Sequence, residues 1–303
     1  MGIRFRYDEM VLRGETMDWA TGIQNAVDYI EEHITEELDY GEIAGQAACS
    51  PFYFQRIFGI LCGIPLGEYI RNRRLTLAGS ELSSAGAKVI DTALKYGYDS
   101  PESFTRAFVK FHGITPSEAK KDGSKLKSFS RVSVQIILKG GSIMDYKIVK
   151  KEAFTVLERM EPQSIDDSQN QNTIPEFWTR SHADGTVAAL LQQAPDRSMI
   201  YGICYNNAPT DHKTFEYAIA ALYGGKAPEG FRITEIPERT WAVFACQGAM
   251  PNAIQETWHN ICAEFFPASG YQPTYEMNIE AYTAGDMTAA DYKSEIWVPV
   301  EKK

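Results

Sequence analysis

The chain has 303 residues, with 30 Lys and Arg, 40 Asp and Glu, and a formal net charge of −10. Hydrophobic residues make up 44% of it, which excludes a disordered chain and, at this length, favours two or three domains. No apolar run is long enough to cross a bilayer and no apolar signal segment opens the chain, so we expect a cytoplasmic protein without a membrane partner.

The cysteine content argues against a disulfide framework. The five cysteines are odd in number and contain no CxxC pair, which predicts reduced and buried thiols. His259 and Cys262 stand three residues apart on a predicted helix. Two candidate ligands are too few for a metal site, so we expect neither a metal nor a cofactor.

The charges divide the chain into two blocks. Residues 44–127 hold 12 basic and 7 acidic side chains, a net charge of +5. Residues 145–303 hold 13 basic and 22 acidic side chains, a net charge of −9. A basic block beside an acidic one indicates two domains with separate tasks, and basic surfaces are typical of nucleic-acid contact.

The first residues, Met1–Thr16, differ in character from those that follow. Arg13-Gly14-Glu15 directly before Met17 is what a purine-rich ribosome-binding site would yield if it were translated. This pattern favours Met17 as the natural start, and a native N-terminal arm is the alternative.

The first predicted elements are helices. Ile23, Val27 and Ile30 recur at helical spacing and predict a helix that ends near His33. A short second helix begins at Asp39.

A third helix begins at Ser50, a favourable N-cap, with Pro51 in the first turn, where its missing N–H does no harm. Gly63 ends this helix. Its predicted apolar stripe consists of Phe54, Ile57, Phe58 and Leu61. The stripe leaves Phe52, Gln55 and Arg56 directed elsewhere.

A longer helix follows from Pro65 to about Leu82, and the plan then repeats. Val89–Tyr96 is the next short helix, Gly97 the turn, and Ser100-Pro101 the cap of the helix that follows. Phe104, Ala107, Phe108 and Phe111 form the stripe of that last helix, which leaves Glu102, Thr105 and Arg106 off the stripe.

The repeat is visible residue by residue. Ser50-Pro-Phe-Tyr-Phe-Gln-Arg-Ile-Phe and Ser100-Pro-Glu-Ser-Phe-Thr-Arg-Ala-Phe are two versions of one pattern, 50 residues apart. A short helix, a tight turn and a capped helix carrying a polar pair is the layout of a helix-turn-helix, so the sequence predicts two of them.

The connecting helix sets the distance between the two copies. From Pro65 to Leu82 it would be about 25–30 Å long at about 1.5 Å per residue, close to the roughly 34–36 Å of one turn of B-DNA. Arg56 and Arg106 suit guanine edges or phosphates and Gln55 suits adenine, whereas Glu102 would accept from cytosine or exclude other bases. The alternative is that these are ordinary exposed polar residues on small helices.

Residues 22–121 resemble the DNA-binding domain of AraC/XylS-type transcriptional regulators. The resemblance rests on the second copy, from Ala93-Leu-Lys-Tyr-Gly-Tyr-Asp-Ser-Pro to Gly-Ile-Thr-Pro-Ser-Glu118. It implies an all-α fold that contacts double-stranded DNA, and RNA polymerase is a further candidate partner. The DNA contacts it implies are Phe52, Gln55, Arg56, Pro101, Glu102, Thr105 and Arg106. Pro101 departs from the polar residues often found at its position.

Between the two blocks lies a predicted linker. A strand-like run, Val132–Leu138, is bracketed by Asp122-Gly-Ser-Lys and Gly140-Gly-Ser. We therefore expect a DNA-binding domain over 17–122, a linker over 123–144 and a second domain over 145–303.

The second domain contains its own repeat, with a period near 80 residues. Pro175-Glu-Phe-Trp178 matches Gln255-Glu-Thr-Trp258, and Gly202-Ile-Cys-Tyr205 matches Ile279-Glu-Ala-Tyr282. Each unit then reads strand–helix–strand–strand, and two pseudo-symmetric units would form one α+β domain with a groove between them. In this alignment Glu280 corresponds to Ile203, and Tyr282 corresponds to Tyr205. The symmetry is therefore broken by one carboxylate, which we expect to lie between the two tyrosines.

This half resembles the GyrI-like effector-binding domain over about 145–300, through Ile-Pro-Glu-Phe-Trp178, Ile279-Glu-Ala-Tyr and Ser294-Glu-Ile-Trp-Val-Pro-Val. The resemblance implies a groove for an amphipathic, often cationic, small molecule with Glu280 as its counter-charge. Aromatic faces beside a partly desolvated carboxylate also select a bulky cation on physical grounds. The expected ligand-binding residues are Glu280, Tyr282, Tyr205, Trp258 and Trp297. A solvent-facing strand with ordinary polar residues is the alternative.

Together the two halves predict a DNA-binding transcriptional regulator controlled by a small ligand. A hydrolase that uses Glu280 with Tyr205 or Tyr282 as base and orienter is the rival hypothesis. A protein-interaction module in the second half is a third. Neither activation nor repression is predicted by the sequence.

Overall fold

The computed structural model describes residues 19–84, 86–133, 144–164, 167–195, 199–205, 214–223, 225, 228–274 and 276–303. Met1–Thr16, Tyr275 and most of the run Val132–Leu138 lie outside these residues.

Helices make up the first half of the chain. They are α1 (Trp19–Glu32), α2 (Tyr40–Gln46), α3 (Pro51–Cys62), α4 (Leu66–Leu82), α5 (Val89–Lys95), α6 (Pro101–His112) and α7 (Pro116–Ala119). The two copies of the repeat are capped alike. The Ser50 hydroxyl accepts from Tyr53 N at 3.2 Å, and the Ser100 hydroxyl accepts from Ser103 N at 3.1 Å. Gly63 and Gly113 end α3 and α6 at φ 70° and 82°, a conformation that favours glycine.

A sheet whose described strand pairs are all antiparallel dominates the second half. Its strands are β1 (Tyr146–Lys151), β2 (Phe154–Ser164), β3 (Met199–Tyr205), β4 (Thr214–Leu222), β5 (Arg232–Ile236), β6 (Arg239–Gln247), β7 (Tyr271–Pro273), β8 (Met277–Thr283) and β9 (Lys293–Lys302). Helices α8 (Asp167–Ala183) and α9 (Thr186–Gln193) follow β2. Helix α10 (Asn252–Asn260), a π-helical turn (Ile261–Phe265) and the short α11 (Phe266–Ala268) follow β6.

The strand order expresses the internal repeat. It runs β1-β6-β9-β8-β3-β4-β2-β5, with β7 added on β9, so the two units meet where β8 pairs with β3. The first strand of each unit pairs with the other unit, β1 with β6 and β5 with β2. This exchange was not predicted, because the repeat shows which segments correspond but not which strands pair. The predicted fold class is confirmed: helical helix-turn-helix elements precede an α+β domain of two pseudo-symmetric units.

The largest core joins the two halves of the chain. Residues of α1–α3, such as Ile30 and Phe58, belong to the same buried cluster as Tyr217 and Trp258 on the helix-covered face of the sheet. The opposite face of the sheet has a separate cluster that includes Trp241. The first helix-turn-helix is therefore packed into the second domain.

The second helix-turn-helix keeps a core of its own. Leu75, Leu82, Phe104 and Phe108 lie in a third cluster that contains no residue of the sheet. Helix α4 links the two environments. The 17 residues of α4 give it a length of about 25 Å.

A buried histidine ties α6 to α4. The Nδ1 atom of His112 accepts from Lys127 N at 3.1 Å, which makes the ring neutral with its proton on Nε2, and Nε2 lies 2.9 Å from the Leu75 carbonyl. Burial lowers the pKa of His112 further below its usual value. Helix α4 passes so close that a Cβ on Gly79 would stand 2.8 Å from the imidazole.

We predict that Gly79→Ala destabilises the protein by about 1 kcal/mol, because overpacking costs about 1–3 kcal/mol and exceeds the helix-propensity gain of about 0.5–1 kcal/mol. The imidazole cannot give way without losing one of its two hydrogen bonds. Urea unfolding measures the effect, with Ser80→Ala on the exposed side of α4 as the control. A stabilised Gly79→Ala variant would contradict the packing described for His112.

Candidate functional site

The site lies on β8, one of the two central strands of the sheet. Along β8 the side chains alternate, so Ile279 and Ala281 join the cluster on one face while Tyr282 belongs to the helix-covered face. Glu280 shares the face of Tyr282, and its side chain is 11% exposed. The sheet thus places a carboxylate under its covering helices, where a charge needs a partner.

Three side chains satisfy the Glu280 carboxylate. The indole of Trp258 on α10 donates to Oε1 at 2.8 Å, and the Tyr282 hydroxyl donates to Oε2 at 2.8 Å. The Arg56 guanidinium donates to Oε1 at 2.5 Å. Burial by itself would raise the pKa of Glu280, but the attraction to Arg56 and these hydrogen bonds outweigh it and hold the pKa below its usual value. Glu280 is therefore ionised at neutral pH.

Aromatic side chains from the other unit extend the site. The indole of Trp178 on α8 donates to the Tyr217 hydroxyl at 2.8 Å and meets the Tyr282 ring edge-on at 5.4 Å. The Tyr217 hydroxyl occupies space that only a glycine leaves, since a Cβ on Gly202 would stand 2.3 Å from it. Trp178 and Tyr217 were not among the predicted ligand residues, although the match of Trp178 to Trp258 across the repeat pointed to the first.

Arg56 reaches this site from α3, in the first half of the chain. Besides its ion pair with Glu280, it donates to the Asn278 side-chain oxygen at 3.4 Å and to the Cys204 sulfur at 3.3 Å. Its guanidinium carbon lies 4.4 Å from the centroid of the Trp258 ring. The charge of Glu280 raises the pKa of Arg56 despite burial, and burial raises the pKa of Cys204 to about 12.

The other predicted DNA-contact residues of α3 are also covered. Phe52 is 3% exposed and stacks on Phe215 of β4, with ring centroids 3.5 Å apart and planes at 20°. Gln55 is 3% exposed, and its amide donates to the Pro51 carbonyl at 3.4 Å. These residues do point away from the apolar stripe of α3, as expected. They face the second domain, however, and not solvent, because α3 packs against α8, α10 and the π-helical turn. We call the surface that these elements present to α3 the groove.

The equivalent helix of the second copy has a different environment. Glu102 and Arg106 of α6 are exposed, while Pro101 and Thr105 are half-buried. The Thr105 hydroxyl donates to the Pro101 carbonyl at 2.7 Å. The two predicted DNA-contact surfaces are thus unequal in this structure, one covered and one open.

Two of the predicted ligand residues lie on the other side of the sheet. Tyr205 packs on the cluster of the opposite face, and its hydroxyl donates to Glu158 at 2.6 Å. Trp297 belongs to the same cluster and donates to Glu295 at 2.7 Å. The expectation that Tyr205 flanks Glu280 is therefore wrong.

Strand register explains that error. Ile203 pairs with Ile279, and both side chains point to the opposite face, so Ile203 cannot be the counterpart of Glu280. On the face of Glu280, β3 offers Gly202 and Cys204 instead. The alignment of the repeat was displaced by one residue, and such a shift moves every side chain to the other face of a strand.

Other classes of site leave no trace in the part of the chain that the structure describes. No three His, Cys, Asp or Glu side chains there gather into a cluster suited to a metal ion. The described helices include none with the length and apolar character of a membrane span.

Two family models match different parts of the chain. Residues 147–300 match the family model of Cass2, the integron-associated effector binding protein, and residues 43–122 match a helix-turn-helix domain model. The transcriptional activator AarP of Providencia stuartii is 39% identical over 105 residues, which are 35% of this chain and 78% of AarP. The regulatory protein SoxS of Salmonella typhimurium is 38% identical over 96 residues, 32% of this chain and 90% of SoxS.

Among solved structures, SAV2435 bound to tetraphenylphosphonium is 26% identical, with a TM-score of 0.47. The match covers 52% of this chain and 94% of the SAV2435 chain. The rival hydrolase hypothesis gains no support from these relatives. The helix-turn-helix match, the identity to AarP and SoxS and the effector-domain match together place the chain in the AraC family of DNA-binding transcriptional regulators, with a GyrI-like effector-binding domain as its second half.

Proposed function

We propose that this regulator responds to a lipophilic or amphipathic cation bound beside Glu280. The observation that carries the proposal is the arrangement around Arg56, where a guanidinium already contacts both the carboxylate and the face of Trp258. A group of that charge fits the site because Glu280 supplies the counter-charge and the ring supplies a cation–π contact. Trp178, Tyr217 and Tyr282 add the aromatic surface that a bulky apolar cation needs.

The DNA contacts are proposed to come from both copies of the helix-turn-helix. In α6 they are Pro101, Glu102, Thr105 and Arg106, and in α3 they are Phe52, Gln55 and Arg56. The length of α4 and the basic charge of residues 44–127 support a duplex bound along one face of the helical half.

A hydrolase would need a base and an orienting group at the same carboxylate. Tyr205 cannot serve with Glu280, because it bonds to Glu158 on the other face of the sheet. Both oxygens of Glu280 already accept hydrogen bonds, and its lowered pKa makes it a weak base. A binding role fits this carboxylate better than a catalytic one.

We predict that Arg106→Ala weakens binding of the full-length protein to its preferred duplex by about 1–3 kcal/mol, the usual loss for a base-contacting arginine. The duplex would first be selected from a random-sequence library by the wild-type protein, and affinity measured by fluorescence anisotropy. Lys150→Ala, which removes one exposed positive charge from β1, is the matched control. Equal affinities for wild type and Arg106→Ala would contradict the role assigned to α6.

We predict that Glu280→Gln reduces the preference for tetraphenylphosphonium over the neutral triphenylphosphine oxide by about tenfold or more, because a buried counter-charge is lost while the shape of the side chain is kept. Calorimetric titration of both compounds measures the preference. Glu158→Gln, a buried carboxylate of the opposite face, is the control and should keep the wild-type ratio. An unchanged ratio in Glu280→Gln would reject the counter-charge role.

A further inference from the structure

Helix α3 is proposed to contact DNA, but in this structure it is packed against the second domain. It cannot do both at once. Phe52, Gln55 and Arg56 are proposed to contact DNA. In this structure Phe52 and Gln55 are buried, and Arg56 is paired with Glu280 of the second domain. A duplex cannot reach a side chain that is 3% exposed, as Phe52 and Gln55 are. Binding of DNA by the first copy therefore requires α3 to leave the groove.

The groove holds α3 by contacts that a small cation could replace. Arg56 supplies positive charge to Glu280 and a planar cationic face to Trp258. Phe52 supplies an aromatic ring to Phe215. The proposed effector also combines a positive charge with aromatic or apolar surface. Arg56 and Phe52 therefore make the same kinds of contact that we propose for the effector.

Further contacts show that α3 is seated in the groove along its length. His259 on α10 hydrogen-bonds the Ile60 carbonyl at 3.3 Å, near the C-terminal end of α3. At the other end, Phe52 lies against the β4 side chain of Phe215. The second copy has no counterpart among the described residues, since the core beneath α6 includes no residue of the sheet.

We propose that Arg56 is an internal occupant of the effector site, and that a cationic effector and helix α3 compete for the same groove. This inference rests on the proposed function, because it takes the site beside Glu280 to be the effector site and α3 to be a DNA-contact helix. An effector that binds Glu280 displaces Arg56 and releases α3, so the effector strengthens DNA binding.

Charge balance explains why the effector should be a cation. When Arg56 leaves, Glu280 would remain buried without its counter-charge, and that state is unfavourable. A cation restores a positive charge next to Glu280, and Arg56 is then able to bind a phosphate or a guanine of the duplex. A neutral molecule of the same shape restores neither charge, so it should displace α3 poorly.

The sign of the coupling follows from this competition. Effector and duplex both bind the arrangement in which α3 is free, so each increases the affinity for the other by the same factor. Coupling between two sites commonly amounts to about 5–150-fold. The apparent affinity for the effector is its intrinsic affinity multiplied by the fraction of molecules in which α3 is free.

The first test is duplex affinity of the full-length protein with and without tetraphenylphosphonium, at fixed salt because DNA affinity depends on salt. The duplex is one selected by this protein from a random-sequence library in the presence of the cation. We expect tetraphenylphosphonium to tighten duplex binding at least fivefold, and triphenylphosphine oxide to have little effect. Weaker duplex binding in the presence of the cation would overturn the proposal.

A second arm needs no ligand. Glu280→Gln removes the counter-charge that holds Arg56 and replaces no residue proposed to contact DNA, so it should bind the duplex at least fivefold more tightly than wild type without any cation. It should also lose the response to tetraphenylphosphonium. Glu158→Gln, the matched buried carboxylate on the other face, should behave as wild type. Wild-type duplex affinity in Glu280→Gln would overturn the proposal.

Release of α3 can also be observed directly by thiol labelling. In Phe52→Cys the new thiol is expected to be covered until the cation is added, whereas in Glu102→Cys, the same position of the second copy, it is exposed throughout. Mass spectrometry of fragment ions distinguishes the thiol at position 52 from that of Cys49, three residues away, and from the other native cysteines. We expect tetraphenylphosphonium to accelerate labelling at position 52 about fivefold or more and to leave position 102 unchanged. Unchanged or slower labelling at position 52 would count against release.

The outcomes separate the inference from the proposed function. If calorimetry detects no tetraphenylphosphonium binding, or selection yields no preferred duplex, the proposed function fails and the inference fails with it. If both bind but neither affects the other, the effector site and the DNA-contact helices stand and only the competition is rejected.

Discussion

A carboxylate buried under the covering helices of the sheet requires a positively charged partner. The contact that supplies this partner connects the two domains. β8 directs Glu280 into the groove between the two units, where burial opposes its charge. Trp258 and Tyr282 supply hydrogen bonds but no charge. The charge comes from Arg56, on a helix 224 positions earlier in the chain. The ion pair therefore joins the two domains as well as completing the site.

This pairing makes the two helix-turn-helix copies unequal, although their sequences and caps are alike. The first copy shares its buried cluster with the sheet, and the second has a cluster of its own. Helix α4 belongs to both, because Leu66 and Tyr69 lie in the shared cluster and Leu75 and Leu82 in the separate one. A change in the docking of the first copy would thus leave the second copy with its own support.

The second internal repeat combines a symmetric strand order with side chains that differ between the two units. The strand order is symmetric about the junction of β3 and β8, and each unit lends its first strand to the other. The chemistry of that junction is not symmetric. Gly202 stands opposite Glu280 in the register, and the absence of a side chain there leaves room for the Tyr217 hydroxyl. One carboxylate and one glycine at the centre give the groove its charge and its space.

The sequence by itself determined the local structure: helix starts at Ser50 and Ser100, stops at Gly63 and Gly113, both repeats, and the families of both halves. The helix boundaries and the repeats follow from capping, left-handed glycine positions and periodicity, which act over a few residues. The families follow from the resemblance of longer motifs to known domains. Glu280 was identified as a charge that breaks the second repeat and by the resemblance to the GyrI-like domain, although the residue aligned with it, Ile203, was the wrong one. Only the tertiary structure decided which side chains surround it. Strand register placed Tyr205 on the far face, and the packing of one domain on the other brought Arg56 in, because contacts between distant segments depend on how whole elements pair and dock.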